Sequence, residues 1–206
     1  MIENDLQRTD EWFAARVGKV TASRVADAVA RTRSGWGASR ANYEAELLVE
    51  RLTGQPAPRF SNAAMQWGTD TEPFAIAAYE FYTDLTVFPV GFVDHPRIAM
   101  SGASPDGMVD DGLVEIKCPN TATHIQTLLG SPIDDKYIKQ MHWQMACTDR
   151  NWCDFVSFDP RMPEEMRIHI TRVERDQALI DSLEKDIAEF IQELAIKEGK
   201  LRSQYS

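Results

Sequence analysis

The chain is short of cysteine, of positive charge and of long apolar runs, and each shortage excludes something. Its three cysteines, Cys118, Cys147 and Cys153, fit neither a disulfide framework nor a common zinc spacing. They read as buried thiols of a reducing cytoplasm. No apolar run approaches the roughly 20 residues that span a bilayer. The stretch Met1-Ile2-Glu3-Asn4-Asp5 is acidic and lacks the apolar core of a secretion signal. Lys and Arg number 22 against 32 Asp and Glu, a formal charge of −10. That balance argues against broad, nonspecific coating of nucleic acid, yet leaves room for DNA in a local channel. An acidic total also suits a site that holds cations with carboxylates. Repeats and low-complexity tracts are absent. What is present is ordinary for a globular chain: 43% hydrophobic and 26% charged residues, with five Trp, five Tyr and nine Phe. Such composition can offset chain entropy, and 206 residues suffice for one domain with a real core.

Periodicity divides the chain into a helical first part and a mixed remainder. Trp12 to Val17 reads as a short helix, and Thr21-Ala22-Ser23 starts another carrying Val25, Ala28 and Val29. Thr32 to Gly37 reads as a loop with Arg31 and Arg33 nearby. Ser39 is expected to cap a helix that runs to Leu52, stops at Gly54 and is followed by Pro56 and Pro58. Thr69-x-x-Glu72, with Pro73 in the first turn, predicts a capping box, and Phe74, Ala77, Ala78 and Phe81 one apolar face beyond it. From about Leu85 the period turns to two. Val87–Val93, Leu113–Cys118, Trp152–Phe158 and Met166–Val173 read as strands. Helices are expected near Thr121–Leu129 and Asp135–Thr148. A long helix covers Arg175–Glu198, with Ile180, Leu183, Ile187, Phe190, Ile191 and Leu194 inward. Helices before, between and after a small central sheet predict one α/β or α+β domain spanning 1–206.

The chemistry concentrates in Ser101 to Pro119. Asp106 precedes a turn, and Glu115 sits inside an apolar strand between Val114 and Ile116. Strand alternation places Glu115 and Lys117 on the same face, roughly 7 Å apart. Charges on so apolar a strand need a reason, because burying an unpaired charge is expensive. A hard divalent cation supplies one: Asp106 and Glu115 offer carboxylate oxygens and the Ile116 carbonyl a third ligand. Magnesium suits an all-oxygen, partly hydrated site. It can acidify a bound water and neutralise charge building on a phosphate. Lys117 can orient that water or steady the charge. A solvated edge strand with a Glu–Lys pair would look the same, so the pattern alone does not decide.

Islands elsewhere add to it. Trp12, Arg16, Gly18 and Thr21-Ala22-Ser23 come first, then Arg33-Ser34-Gly35, and Trp67-Gly68 with Glu72. Ser104-Pro105-Asp106-Gly107, Glu115-Ile116-Lys117-Cys118-Pro119, Tyr137 with Gln140, and Phe158-Asp159-Pro160-Arg161-Met162 follow in order. With these the chain resembles the PD-(D/E)xK nucleases. More narrowly, it resembles the phage lambda exonuclease family of YqaJ-like viral recombinases, over nearly its whole length. The resemblance implies a restriction-endonuclease-like domain, a central mixed sheet flanked by helices. It also implies an exonuclease that digests one strand of linear duplex DNA from the 5′ end and leaves a 3′ single strand.

By the same resemblance Asp106, Glu115 and the Ile116 carbonyl match metal ligands for magnesium, with manganese as a substitute and two ions per site. Lys117 matches the catalytic lysine, and Glu72 and Gln140 match active-site groups. The i, i+4 spacing puts Gln144 on the face of Gln140, whereas His142 stands where the family has a second glutamine. Arg16, Ser23 and Ser104 match a 5′-phosphate pocket, and the start of a helix at Ser23 would favour an anion. Arg33 matches a residue that reaches into DNA, and Met65 an apolar wedge at the terminal base pair. Read without the resemblance, Arg16 and Arg33 are ordinary surface charges, Ser23 a cap and Met65 a packing residue. Asp94 is the nearest match to a family acid before Ser104, but the connecting segment is longer than the family's, so it is not counted as a ligand. A homotrimeric ring around DNA, a single-strand annealing protein as partner, and the cytoplasm of a bacterial or phage-infected cell are implied in the same way. A structure-specific endonuclease or a RecB-like nuclease of the same superfamily is the alternative.

Overall fold

A four-stranded sheet lies between two helices, and its second strand carries Glu115. The computed structural model describes residues 6–57 and 62–205. Pro58 and the acidic stretch from Met1 to Asp5 lie outside them. The first part contains α1 (Asp10–Arg16), β1 (Val20–Thr21), a 3-10 turn (Ala22–Arg24), α2 (Val25–Ala28), β2 (Arg31–Thr32), β3 (Gly35–Trp36), α3 (Ala38–Thr53) and α4 (Ala63–Thr83). Then come β4 (Val93–Asp94), β5 (Ser101–Ala103), β6 (Gly107–Val109), β7 (Gly112–Lys117), α5 (Thr121–Leu128), α6 (Asp135–Thr148), β8 (Trp152–Phe158), β9 (Ile168–Glu174) and α7 (Gln177–Tyr205). The main sheet runs β6-β7-β8-β9, and a small sheet runs β1-β5-β4. β7 and β8 pair in parallel, Leu113 opposite Cys153 through Lys117 opposite Ser157. That pairing needs a long crossover, which α5 and α6 supply. This is the mixed, helix-flanked α/β arrangement expected.

Alternation on β7 sorts its side chains between two layers. Val114 and Ile116 pack with Ala75 and Tyr79 of α4 and with Val156 and Phe158 of β8. Leu113 packs with Met141 and Met145 of α6 and with Cys153 and Phe155. Glu115, on the parity of Leu113, therefore faces α6. A third cluster joins Val20, Val25, Tyr43 and Trp143 to the inward stripe of α7, Ile180, Leu183, Ile187, Phe190 and Leu194. Each such side chain, fully buried, contributes about 1.5–3 kcal/mol.

Several expectations are corrected. Ser39 does not cap α3: Gly37 is the N-cap, with no side-chain cap bond, because the hairpin of β2 and β3 delivers the chain to Ala38. Thr69 and Glu72 do not open a helix. Asn62 is the cap of α4, accepting from the Met65 N–H at 2.9 Å, and Pro73 lies in the helix interior. There it offers no N–H to the Thr69 carbonyl. The face of Phe74 and Phe81 points outward; α4 buries Thr71, Ala75 and Tyr79 instead. Tyr79 is anchored there by its hydroxyl, which donates to Asp154 Oδ2 at 2.8 Å.

The segment Val87–Val93 is not a continuous strand. The Val87 N–H is taken by Glu80 Oε1, Pro89 has none to give, and only Phe88 bridges to Met108. Met166 belongs to a 3-10 turn, so β9 begins at Ile168. The helix expected at Ser23 is a single 3-10 turn followed by four α-helical residues. The loop holding Arg33 is the tip of the β2–β3 hairpin. α7 runs past Glu198 to Tyr205.

Two glycines are required where they stand. Gly18, at φ +70°, turns the chain from α1 into β1. A Cβ there would meet Arg51 Cγ at 2.7 Å. Gly107 follows Asp106, and a Cβ there would lie 2.2 Å from Val87 Cγ1.

Candidate active site

β7 ends by pointing Glu115 at α6 and Lys117 into a cleft of about 780 Å³. Glu72, Asp106, Ile116, Lys117, Tyr137 and Met65 line that cleft, together with Cys118 and Lys136. Asp106 arrives from the β5–β6 connection. Its Oδ2 accepts the Ile116 N–H at 2.6 Å, which ties the loop to the strand holding Glu115. Glu115 is wholly buried. Gln140 Nε2 donates to its Oε1 at 2.7 Å, Gln144 Nε2 to its Oε2 at 2.6 Å, and Lys117 Nζ pairs with Oε1. The α-helical i, i+4 spacing lets two amides of α6 grip one carboxylate. Gln144 was legible from that spacing alone, yet was not among the site residues expected. His142 faces elsewhere: its Nδ1 stands 2.7 Å from the Ile138 carbonyl oxygen within α6.

Carboxylates crowd one another at this cleft, with Lys117 among them. Burial first, then the charges of Glu115 and Glu72, push the Asp106 carboxyl well above the usual carboxylate range, against the pull of Lys117 and the Ile116 N–H. Burial acts to lower the Lys117 ammonium, but Glu115 and Asp106 outweigh it and raise it above its ordinary value. Among the described residues, no three His, Cys, Asp or Glu side chains form a ready-made cage for a metal. The donors present are two carboxylates and the Ile116 carbonyl. These fit magnesium, which keeps several waters and needs few protein oxygens.

A second cleft, of about 490 Å³, adjoins the first. Arg16, Lys19, Ser23 and Arg24 line it, and Met65, 55% exposed, lines both clefts. Thr9 caps α1 by accepting from the Trp12 N–H at 3.1 Å, and α1 presents Trp12 and Arg16. The Arg16 guanidinium lies 4.0 Å from the Trp12 ring centre. Trp12 Nε1 and Arg16 Nη1 both donate to Ser104 Oγ, at 2.9 and 3.0 Å. The Ser104 hydroxyl accepts two bonds and keeps its own hydrogen as a donor. Ser23 stands 3.5 Å from Thr21 Oγ1. Arg33 does not join either cleft; it sits at the exposed hairpin tip. Asp94 is also elsewhere, on β4, where it accepts from Lys19 Nζ at 2.6 Å.

The Phe158-Asp159-Pro160-Arg161 stretch braces the cleft wall. Buried Asp159 accepts from Arg161 Nε at 2.7 Å and from the Thr121 hydroxyl at 2.7 Å. Arg161 also reaches the Pro119 carbonyl at 3.3 Å and lies over the Trp67 ring, 4.4 Å from its centre. It thereby joins α4 to the turn that follows Lys117. Cys118, beside the cleft, is an inert thiol: burial, then Glu72 and Asp106, push it up to about 12. The described cysteines are all free.

Known proteins resemble this arrangement. The YqaJ-like viral recombinase domain matches residues 11–151. No curated protein matches the chain. The crystal structure of LHK-Exo in complex with dAMP is 54% identical, with a TM-score of 0.89 over 95% of this chain and 97% of that one. The alkaline exonuclease LHK-Exo from Laribacter hongkongensis is likewise 54% identical, at TM-score 0.88 over 95% and 97%. A phage related exonuclease from Haemophilus somnus 129PT, 18% identical, shares the fold, with a TM-score of 0.67 over 91% of this chain and 96% of that one.

Proposed function

The chain belongs to the YqaJ-like viral recombinase domain family and is an exonuclease, and from that premise we propose that it digests linear double-stranded DNA from the 5′ end. In this reading it releases 5′-mononucleotides and leaves a 3′ single strand. The observation that carries it is the adjacency of the two clefts. One presents Asp106 and Lys117, with Glu115 buried behind them and paired with Lys117; the other presents Arg16 and Ser23, with Ser104 bonded to Arg16; Met65 belongs to both. The dAMP held by a 54% identical exonuclease is a deoxynucleoside monophosphate, the kind of product this reading requires.

The chemistry follows from the residues. Water adds to the phosphorus and the bond from phosphorus to the 3′ oxygen breaks, so a mononucleotide departs and the new end carries a 5′-phosphate. Asp106, Glu115 and the Ile116 carbonyl would hold magnesium or manganese, two ions per site, which would supply an acidified water and neutralise phosphate charge. Gln140 and Gln144 hold Glu115 in one rotamer. Glu72 faces the same space from α4. Lys117 steadies negative charge at the phosphate. Arg16 offers a forked, permanent charge to the terminal phosphate, and Ser23 and Ser104 add hydroxyl donors. Met65 wedges at the terminal base pair, and Arg33 contacts DNA from its hairpin. A homotrimeric ring would keep so acidic a chain on its substrate, and a single-strand annealing protein would receive the 3′ strand.

The test uses linear duplex labelled at one end, with a 5′-phosphate or a 5′-hydroxyl, beside a covalently closed circle, with and without magnesium. Mononucleotides from the phosphorylated linear duplex, only with magnesium, are expected. Rapid cutting of the circle would overturn the reading in favour of an endonuclease.

A further inference from the structure

We infer that Arg8 is a positioning residue for Glu72, held beside the catalytic cleft by the segment that precedes α1. The inference rests on the proposed role of Glu72. Arg8 Nη2 donates to Glu72 Oε2 at 2.8 Å, across 64 residues of sequence. The preceding residue is fastened as firmly. Gln7 Nε2 donates to the Val90 carbonyl at 2.9 Å and to the Pro105 carbonyl at 2.7 Å. Pro105 immediately precedes Asp106. The following residue, Thr9, caps α1, the helix that presents Arg16. Three consecutive side chains thus reach the catalytic loop, the glutamate of α4 and the helix of the neighbouring cleft.

Backbone strain points the same way. Arg8 has φ +64°, a left-handed conformation rare for a residue with a Cβ. Such a conformation persists only where surroundings over-determine it. Here the bonds of Gln7 on one side and Thr9 on the other do so, and the result aims the guanidinium at Glu72. This segment also lies before residues 11–151, the part matched by the family.

The electrostatic need is plain. Glu72 shares its cleft with Asp106, and Glu115 lies alongside. Left to itself, a partly buried carboxylate such as Glu72 would swing away from two like charges. A guanidinium supplies a permanent counter-charge in fixed geometry. Arg8 therefore keeps Glu72 turned toward the cleft.

The experiment compares R8A, R8K, E72Q and the R8A/E72Q double variant of the full chain. Readouts are kcat and KM on 5′-phosphorylated linear duplex with magnesium, duplex binding by fluorescence anisotropy without divalent cation, and thermal unfolding. R8A is expected to lower kcat by about 10- to 100-fold with KM and duplex binding nearly unchanged. R8K should recover part of the loss, and R8A should add nothing in the E72Q background. R8Q, which keeps the aliphatic stem, replaces R8A if R8A has no cooperative unfolding transition. Weakened duplex binding with kcat preserved would overturn the inference and make Arg8 a phosphate contact. Equal losses from R8A in both backgrounds would overturn it too. Full activity in E72Q would remove the role of Glu72 itself, and with it the inference, which is a different pattern from the other two.

Discussion

Gln144 Nε2 stands 2.6 Å from Glu115 Oε2, and both side chains are wholly buried. The amide's own Oε1 has no partner. Its single bond is spent on orienting a carboxylate, and an apolar side chain of similar volume in its place would leave the buried Glu115 Oε2 without that donor. Q144M is expected to lower the unfolding temperature by roughly 5 °C and to raise the magnesium concentration for half-maximal activity by about 10- to 100-fold. A magnesium titration followed by release of mononucleotides checks this; an unchanged curve would count against the orienting role.

Arg16 should matter for one kind of DNA end only. Its charge-assisted bond to a terminal phosphate corresponds to about 1.5–3 kcal/mol, roughly 10- to 100-fold in rate. R16A is therefore expected to slow digestion of 5′-phosphorylated duplex by that factor and to leave almost untouched only the first cut at a 5′-hydroxyl end, because every later end carries a 5′-phosphate. Competition between the two ends in one reaction measures the ratio directly.

The thiols should be silent in the folded state. Cys118 is pushed up to about 12 by burial and two nearby carboxylates, and burial raises Cys147 and Cys153 as well. Reactivity follows the thiolate. At pH 8 the native protein is expected to resist alkylation, with rapid labelling of its cysteines once unfolded in urea. Mass spectrometry of the alkylated protein reads the result.

Asp159 should make the fold sensitive to strong acid. Burial tends to raise its carboxyl, but the bonds from Arg161 and Thr121 more than offset this and hold it at about 2. Because the folded value lies below the ordinary 3.8, its contribution is full above that ordinary value and is lost as pH falls through about 2. D159N is expected to lower the urea midpoint near neutral pH and to flatten the decline of that midpoint between about pH 4 and about pH 2. Equal declines for both proteins would show that Arg161 holds a neutral partner as well.

Local signals were legible where they coincided with packing. Trp152–Phe158 and Asp135–Thr148 were read with the bounds they have, because composition, period and flanking residues agree there. A charge inside an apolar strand marked Glu115, although a solvated Glu–Lys pair would have read the same; the fold buries Glu115 and sets Asp106 against the Ile116 N–H. Misreadings arose where a local signal was outweighed. Thr69, Glu72 and Pro73 imitate a helix start, but the cap at Asn62 and the burial of Ala75 and Tyr79 carry one helix straight through them. Val87–Val93 has strand composition, yet a carboxylate and a proline remove the N–H groups it would pair with. Arg8 could not be read from sequence at all, since its partner lies 64 residues away and nothing local marks the contact.

Met65 forms a common wall between two hollows, so a change there reshapes both. On the function proposed above, a bulkier or shorter side chain at that position would alter the seat of a chain end and the place of bond breaking together. Evolution or an engineer who admitted a different terminus through this residue would accept a changed cutting geometry in the same stroke.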